Sequence, residues 1–196
     1  MGSDMKLRIV ASLAIAFLAA TSASQAAIIQ YRSTLGPEAA GATGTGTVLL
    51  TFDSATSLLK YDVTFSGLSG LTTVAHIHCC TTSAGTGTAG VATTIPTLPG
   101  FPAGVSNGTY LGTFDMLLAS SYRAQFITDS GGTTAGALNR LLANLDSGKA
   151  YFNDHSSTFG GGEIRGFPRR VPEPGTLALL GLGLAGLGLS RRRKGS

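Results

Sequence analysis

Every histidine and cysteine of the chain falls in two short stretches, Ala75-His76-Ile77-His78-Cys79-Cys80 and Tyr151-Phe152-Asn153-Asp154-His155-Ser156. His76 and His78 stand two residues apart in a segment that reads as a β-strand, so both rings project from one face of it. Such a pair can grip one metal ion. If the strand bearing His155 is its neighbour, three imidazoles can converge on a copper or zinc site with an open coordination position. The opposing reading is structural, with the rings bonded to backbone carbonyls and hydroxyls or bracing Glu163 and Arg165 inside the domain. The sequence leaves both open. Tyr151, Asn153, Glu163 and Arg165 are the expected supporting side chains, and Glu163 and Arg165 flank Ile164, which puts both on one side of their strand. No nucleophile stands beside them, and Ser156 points away from the face of His155, so no catalytic residue is assigned and the chain reads as a binding protein rather than an enzyme.

The elements that must position these residues are mostly strands. Ser57 to Ser66 alternates, with Leu59, Tyr61, Val63 and Phe65 on one face and Lys60, Asp62, Thr64 and Ser66 on the other, the pattern of a half-buried strand. Thr45 to Phe52 repeats it with Val48, Leu50 and Phe52, and Asp53-Ser54-Ala55-Thr56 supplies the turn of a hairpin. Further strands are expected at Ile28 to Thr34, Thr73 to His78, Thr109 to Phe114, Lys149 to His155 and Gly162 to Phe167. Thr81 to Gly108 is dense in Gly, Thr, Ser and Pro and reads as a long excursion with little regular structure, a kind of loop that often carries function. One segment breaks the β pattern: Leu138, Leu141, Leu142 and Leu145 recur at helical spacing over Thr134 to Asp146, with Gly148 as the stop. A weaker helical turn covers Ser120 to Ile127. The expected fold is mainly β, an antiparallel β-sandwich or barrel with one or two short helices. Gly44 and Gly46 precede a strand instead of joining strand to helix, which removes a dinucleotide loop.

Both ends of the 196-residue chain read as targeting sequence. Residues 1–4 and 195–196 look like cloning remnants, which makes Met5 the natural start. Lys6 and Arg8 then precede the apolar run Ile9 to Ala20, and Thr21 to Ala27 is small and polar. This is the order of a signal peptide over 5–26, with the cut expected after Ala26. At the other end Pro172-Glu173-Pro174 leads into the apolar stretch Gly175 to Leu189 and then Arg191-Arg192-Arg193-Lys194. Fifteen residues of helix span roughly 22 Å, short for a hydrocarbon core of about 30 Å, so the stretch suits a transient anchor with its arginines on the cytoplasmic side. The net charge of +4 belongs to these ends. Between Ala27 and Val171 the bases Arg32, Lys60, Arg123, Arg140, Lys149, Arg165, Arg169 and Arg170 equal in number the acids Glu38, Asp53, Asp62, Asp115, Asp129, Asp146, Asp154 and Glu163. A neutral domain offers no basic face for nucleic acid.

The Ala-His-Ile-His strand, the Tyr-x-Asn-x-His-Ser segment and the following Gly162-Glu163-Ile164-Arg165-Gly166 together resemble the CHRD (chordin-like) family, over most of Ile28 to Phe167. The resemblance implies a β domain, here 27–168, in an exported protein, and implies no reaction. Residues 169–194 resemble a PEP-CTERM signal, which implies export, sorting by an exosortase after signal peptidase, and removal of the tail. The destination is the cell surface or extracellular matrix, where exopolysaccharide is a candidate partner and the membrane is touched only transiently. In an exported chain free thiols are uncommon. Cys79 and Cys80 therefore stand open between a vicinal disulfide, thiolate ligands beside the histidines, and unpaired or intermolecular thiols.

Overall fold

Alternating apolar residues decide where this chain puts its sheet. In the computed structural model, which describes residues 27–172 together with Gly175, Leu179, 181–184 and Gly186, the strands are β1 (Ile28–Pro37), β2 (Thr45–Asp53), β3 (Leu58–Ser66), β4 (Thr72–Cys79), β5 (Gly108–Asp115), β6 (Ala150–Ser156), β7 (Ile164–Gly166) and β8 (Arg169–Arg170). They form one eight-stranded sheet in the order β4-β6-β7-β1-β2-β3-β5, with β8 pairing β1. Every pair is antiparallel. β1 is the seam: its first part pairs β2 and β8, and Gly36 and Pro37 at its end turn to β7. The sheet therefore curls into an open half-barrel. Three short helical pieces complete it, a 3-10 turn at Ala119–Ser121, α1 (Ala124–Thr128) and α2 (Thr134–Asp146). This is the mainly β, antiparallel class with few helices that the sequence pattern requires.

The alternating residues meet inside the curl. Val48 lies opposite Val63, Leu50 opposite Tyr61 and Phe52 opposite Leu59, and all of them are buried. Ala75, Ile77, Phe152 and Ile164 join them from the other half of the sheet. α2 contributes Ala137, Leu138, Leu141 and Leu145, with Leu142 only partly covered. Its first turn is capped by Thr133, whose hydroxyl accepts the Gly136 N–H at 3.0 Å. The excursion after β4 has little regular structure beyond two isolated bridges, His78 to Val91 and Thr93 to Tyr122. It is nevertheless part of the core. Ala92, Leu98 and Phe101 are buried, and the Phe101 ring stacks on Phe65 at 5.6 Å.

Polar contacts at two places hold the half-barrel together. Glu163, just before β7, is wholly buried and accepts the backbone N–H groups of Ser69 and Gly70, the turn that launches β4. Burial pushes its carboxyl up, but hydrogen bonds from Ser156, Ser69 and Gly70 outweigh this and hold it below the ordinary value of 4.5. At the other end β8 is tied down by Val171 N–H donating to Gln30 O at 2.8 Å, by Arg170 at 3.8 Å from Asp146, and by Tyr31 donating to the same Asp146 at 2.9 Å. Sequence reading missed β8, because two adjacent arginines carry no strand pattern.

The expected signal peptide, both terminal remnants, and Glu173 and Pro174 of the sorting motif lie outside the described residues. So does most of the apolar tail; the positions described in it are helical and exposed. Among the described residues no helix is long and apolar enough to cross a membrane.

Glu163→Gln exchanges a charged acceptor of two backbone donors for a neutral one, an expected loss of about 1–3 kcal/mol at neutral pH. A carboxyl held below its ordinary value stabilises the fold above that value, and the contribution fades as pH falls through the folded-state value. The gap between the native chain and the variant in urea unfolding should therefore close below pH 4.5. A gap that stays constant with pH would show that the charge of Glu163 is not what matters. β8 gives a second expectation: a chain ending after Val171 keeps its unfolding midpoint, whereas one ending after Pro168 loses about 3–6 °C in a thermal scan.

Candidate metal centre

β4 and β6 lie side by side, with Val74 opposite His155, His76 opposite Asn153 and His78 opposite Tyr151. Residues opposite one another on paired strands share a face. One face of this pair is therefore apolar, with Ala75, Ile77 and Phe152 in the core. The other carries His76, His78, Tyr151, Asn153 and His155. Curling of the sheet and the covering excursion bury this second face as well, so that the three histidines are only 5 %, 8 % and 9 % exposed. Their ring centroids are 5.5 to 5.7 Å apart, and one ring nitrogen from each lies within 4.8 Å of the others. A three-coordinate ion with bonds of about 2.0 Å holds its donors about 3.5 Å apart, so closure on an ion asks each ring to move inward by less than ~1 Å.

Each ring uses one nitrogen on a backbone carbonyl. His76 Nε2 bonds Pro96 O, His78 Nδ1 bonds Ala89 O at 2.9 Å, and His155 Nδ1 bonds Gly160 O at 3.0 Å. A carbonyl only accepts, so each of these nitrogens carries the hydrogen, and in a neutral ring the other nitrogen is a bare lone pair. Those others, His76 Nδ1, His78 Nε2 and His155 Nε2, are buried without a hydrogen-bond partner among the described residues. Burial pushes His76 down from 6.5 to about 4, with the two neighbouring imidazoles adding to the effect against its bond to Pro96. Burial likewise lowers His78, assisted by His155 and by the Arg165 cation. The carbonyl bonds that the structural reading anticipates are therefore present, but they occupy one side of each ring only.

The supporting residues form a second layer. Tyr151 stacks on His78, centroids 4.9 Å apart and planes 8° from parallel, and its hydroxyl meets the backbone of Ala89. The Arg165 guanidinium lies 5.3 Å from the Tyr151 ring centre, donates to Gly87 O at 2.9 Å, and pairs with Glu38 Oε1 at 3.0 Å. Glu38 Oε2 in turn accepts the Asn153 amide. Gly162, at φ +127°, leaves the room in which Asn153 and Glu38 meet, and a Cβ there would strike both. Glu163 and Arg165 part company: Arg165 joins the layer behind the histidines, while Glu163 faces the turn before β4. Cys79 and Cys80 are bonded to each other as a vicinal disulfide at the end of β4, and the converging group consists of the three histidines alone.

Two residues of this region were not singled out by the sequence. Glu38 lies at the start of a turn far from the histidines in the chain, and nothing local marks it as the partner of Arg165. Asp154 was findable, because alternation along Tyr151-Phe152-Asn153-Asp154-His155 puts it beside Phe152 on the core face. It is fully buried, neither carboxyl oxygen has a hydrogen-bond partner among the described residues, and burial followed by the nearby Glu163 charge pushes it up to about 8. It is therefore mostly a neutral acid at pH 7.

Comparison with known proteins identifies two segments of the chain. A CHRD domain model matches residues 24–167, the segment that holds β1 to β7 and all three histidines. A PEP-CTERM protein-sorting motif matches residues 170–194. No curated protein and no solved structure matches the chain. The first match covers well over half of the chain and the second accounts for its tail: this chain belongs to the CHRD domain family and carries the sorting motif of an exported, exosortase-processed protein.

Proposed function

We propose that this exported protein is a non-catalytic binding module whose ligand is a copper or zinc ion held by His76, His78 and His155. The observation that supports it is the set of three buried imidazole lone pairs without protein partners, each on a ring whose other nitrogen is anchored to a backbone carbonyl. Metal-bound histidines are oriented this way, the second nitrogen donating to a carbonyl or carboxylate that fixes ring and tautomer. Leaving three buried acceptors unmatched costs about 1–3 kcal/mol each, and a bound ion offsets that. Tyr151 stacks on the His78 ring, and Arg165 and Glu38 hold Tyr151 and Asn153 behind the histidines.

In this reading the displayed domain is 27–168, with β8 following it. Signal peptidase removes 5–26, and the exosortase recognises Pro172, Glu173 and Pro174 and removes the tail, so that the domain is displayed at the cell surface or in the extracellular matrix. Capture of metal there is its activity. Association with exopolysaccharide would be the role left to the fold if the ion failed to bind.

Metal content tests the site. The chain purified without a metal-affinity column is expected to hold about one copper or zinc ion, and H76A/H78A/H155A to hold none. Equal content in the two proteins sinks the site, provided circular dichroism shows that both are folded. The sorting half has its own test: deleting Pro172 to Lys194 in a host with an exosortase should leave the domain off the surface, and unchanged display would remove the sorting claim.

A further inference from the structure

The donors that meet between β4 and β6 carry no charge. Among the described residues the converging group is three imidazoles without a carboxylate or thiolate. The acceptors behind the rings are backbone carbonyls of Pro96, Ala89 and Gly160. The carboxylate on this face, Glu38, is already engaged by the Arg165 cation and the Asn153 amide. Arg165 lies against Tyr151, which stacks on His78, so the layer behind the site contributes a matched pair of charges rather than a net negative one. The soft donors that elsewhere select copper(I) are committed as well, because Cys79 and Cys80 are bonded to each other. Whatever selectivity the site has must come from charge and coordination number.

Both point the same way. The cost of moving an ion out of water rises with the square of its charge, and rings that are at least nine-tenths buried leave little solvent to share it. A dication held by three neutral donors keeps its full charge in this shell. Zinc(II) also requires a fourth ligand to complete its tetrahedron. A monocation content with three nitrogens in a plane requires neither. Resting on the three-histidine reading above, we propose that the site is selective for copper(I), bound three-coordinate by His76, His78 and His155, over zinc(II).

The test is a pair of competition titrations on the full chain, purified free of metal. Copper(I) is supplied as its acetonitrile complex under nitrogen against a chromophoric copper(I) chelator, and zinc(II) against a chromophoric zinc chelator. The expected result is a copper(I) dissociation constant at least about 100-fold below that for zinc(II), with X-ray absorption showing three nitrogen neighbours and no sulfur. Zinc(II) binding as tightly as copper(I), with both lost in H76A/H78A/H155A, overturns the copper(I) inference and leaves the three-histidine site standing. Neither metal binding more tightly to the native chain than to that variant overturns both. Arg165→Gln supplies a readout that a merely structural role would not move. It leaves the Glu38 carboxylate unbalanced behind the site and should narrow the preference by about tenfold in favour of zinc(II). A ratio unchanged in a folded Arg165→Gln chain overturns the electrostatic argument.

Discussion

The register between β4 and β6 is the constraint on which the rest of this structure depends. Because side chains alternate, a slip of one residue in either strand would send His76 and His78, or His155, into the apolar core and bring Ile77 or Phe152 out. The pairing is held by what lies on the core face, Ala75 and Ile77 against Phe152. Hydrophobic burial on one side thus sets the position of polar groups on the other. The site needs no interaction of its own to bring the strands together.

The excursion between β4 and β5 serves both sides of this arrangement. Phe101 and Leu98 enter the core, whereas Ala89 and Pro96 offer their carbonyls to His78 and His76. A segment without helix or strand is therefore fixed at several points along its length. Its carbonyls choose the tautomer of two rings, which decides which nitrogen is left bare. An irregular backbone is suited to this, since sheet carbonyls are already paired and cannot turn toward a side chain.

Much of this was legible from residue order. β2 and β3 follow from alternation, the remaining strands up to β7 fall on the further segments expected to be strands, α2 follows from the spacing of Leu138, Leu141 and Leu145, and the common face of His76 and His78 from their separation by two. The neighbourhood of β4 and β6 was not derivable from spacing, because strand order depends on how the curl closes, with β7 and β1 between the two halves. Glu38 was hidden for the same reason: its meeting with Arg165 joins residues from opposite ends of the domain. Asp154 was visible in the alternation, yet a charged residue on a core face reads as an interruption until its burial is known. β8 lay below any pattern, since its pairing is set by the end of the sheet and by Asp146 rather than by its own residues.

The hold on β8 reaches further than stability. Backbone pairing continues through Val171, and the Pro-Glu-Pro run of the sorting motif starts at Pro172. Nothing between them serves as a tether. While the tail is attached, the last paired residue and the first proline of the motif are chain neighbours, so the sorting segment departs directly from the edge of the sheet.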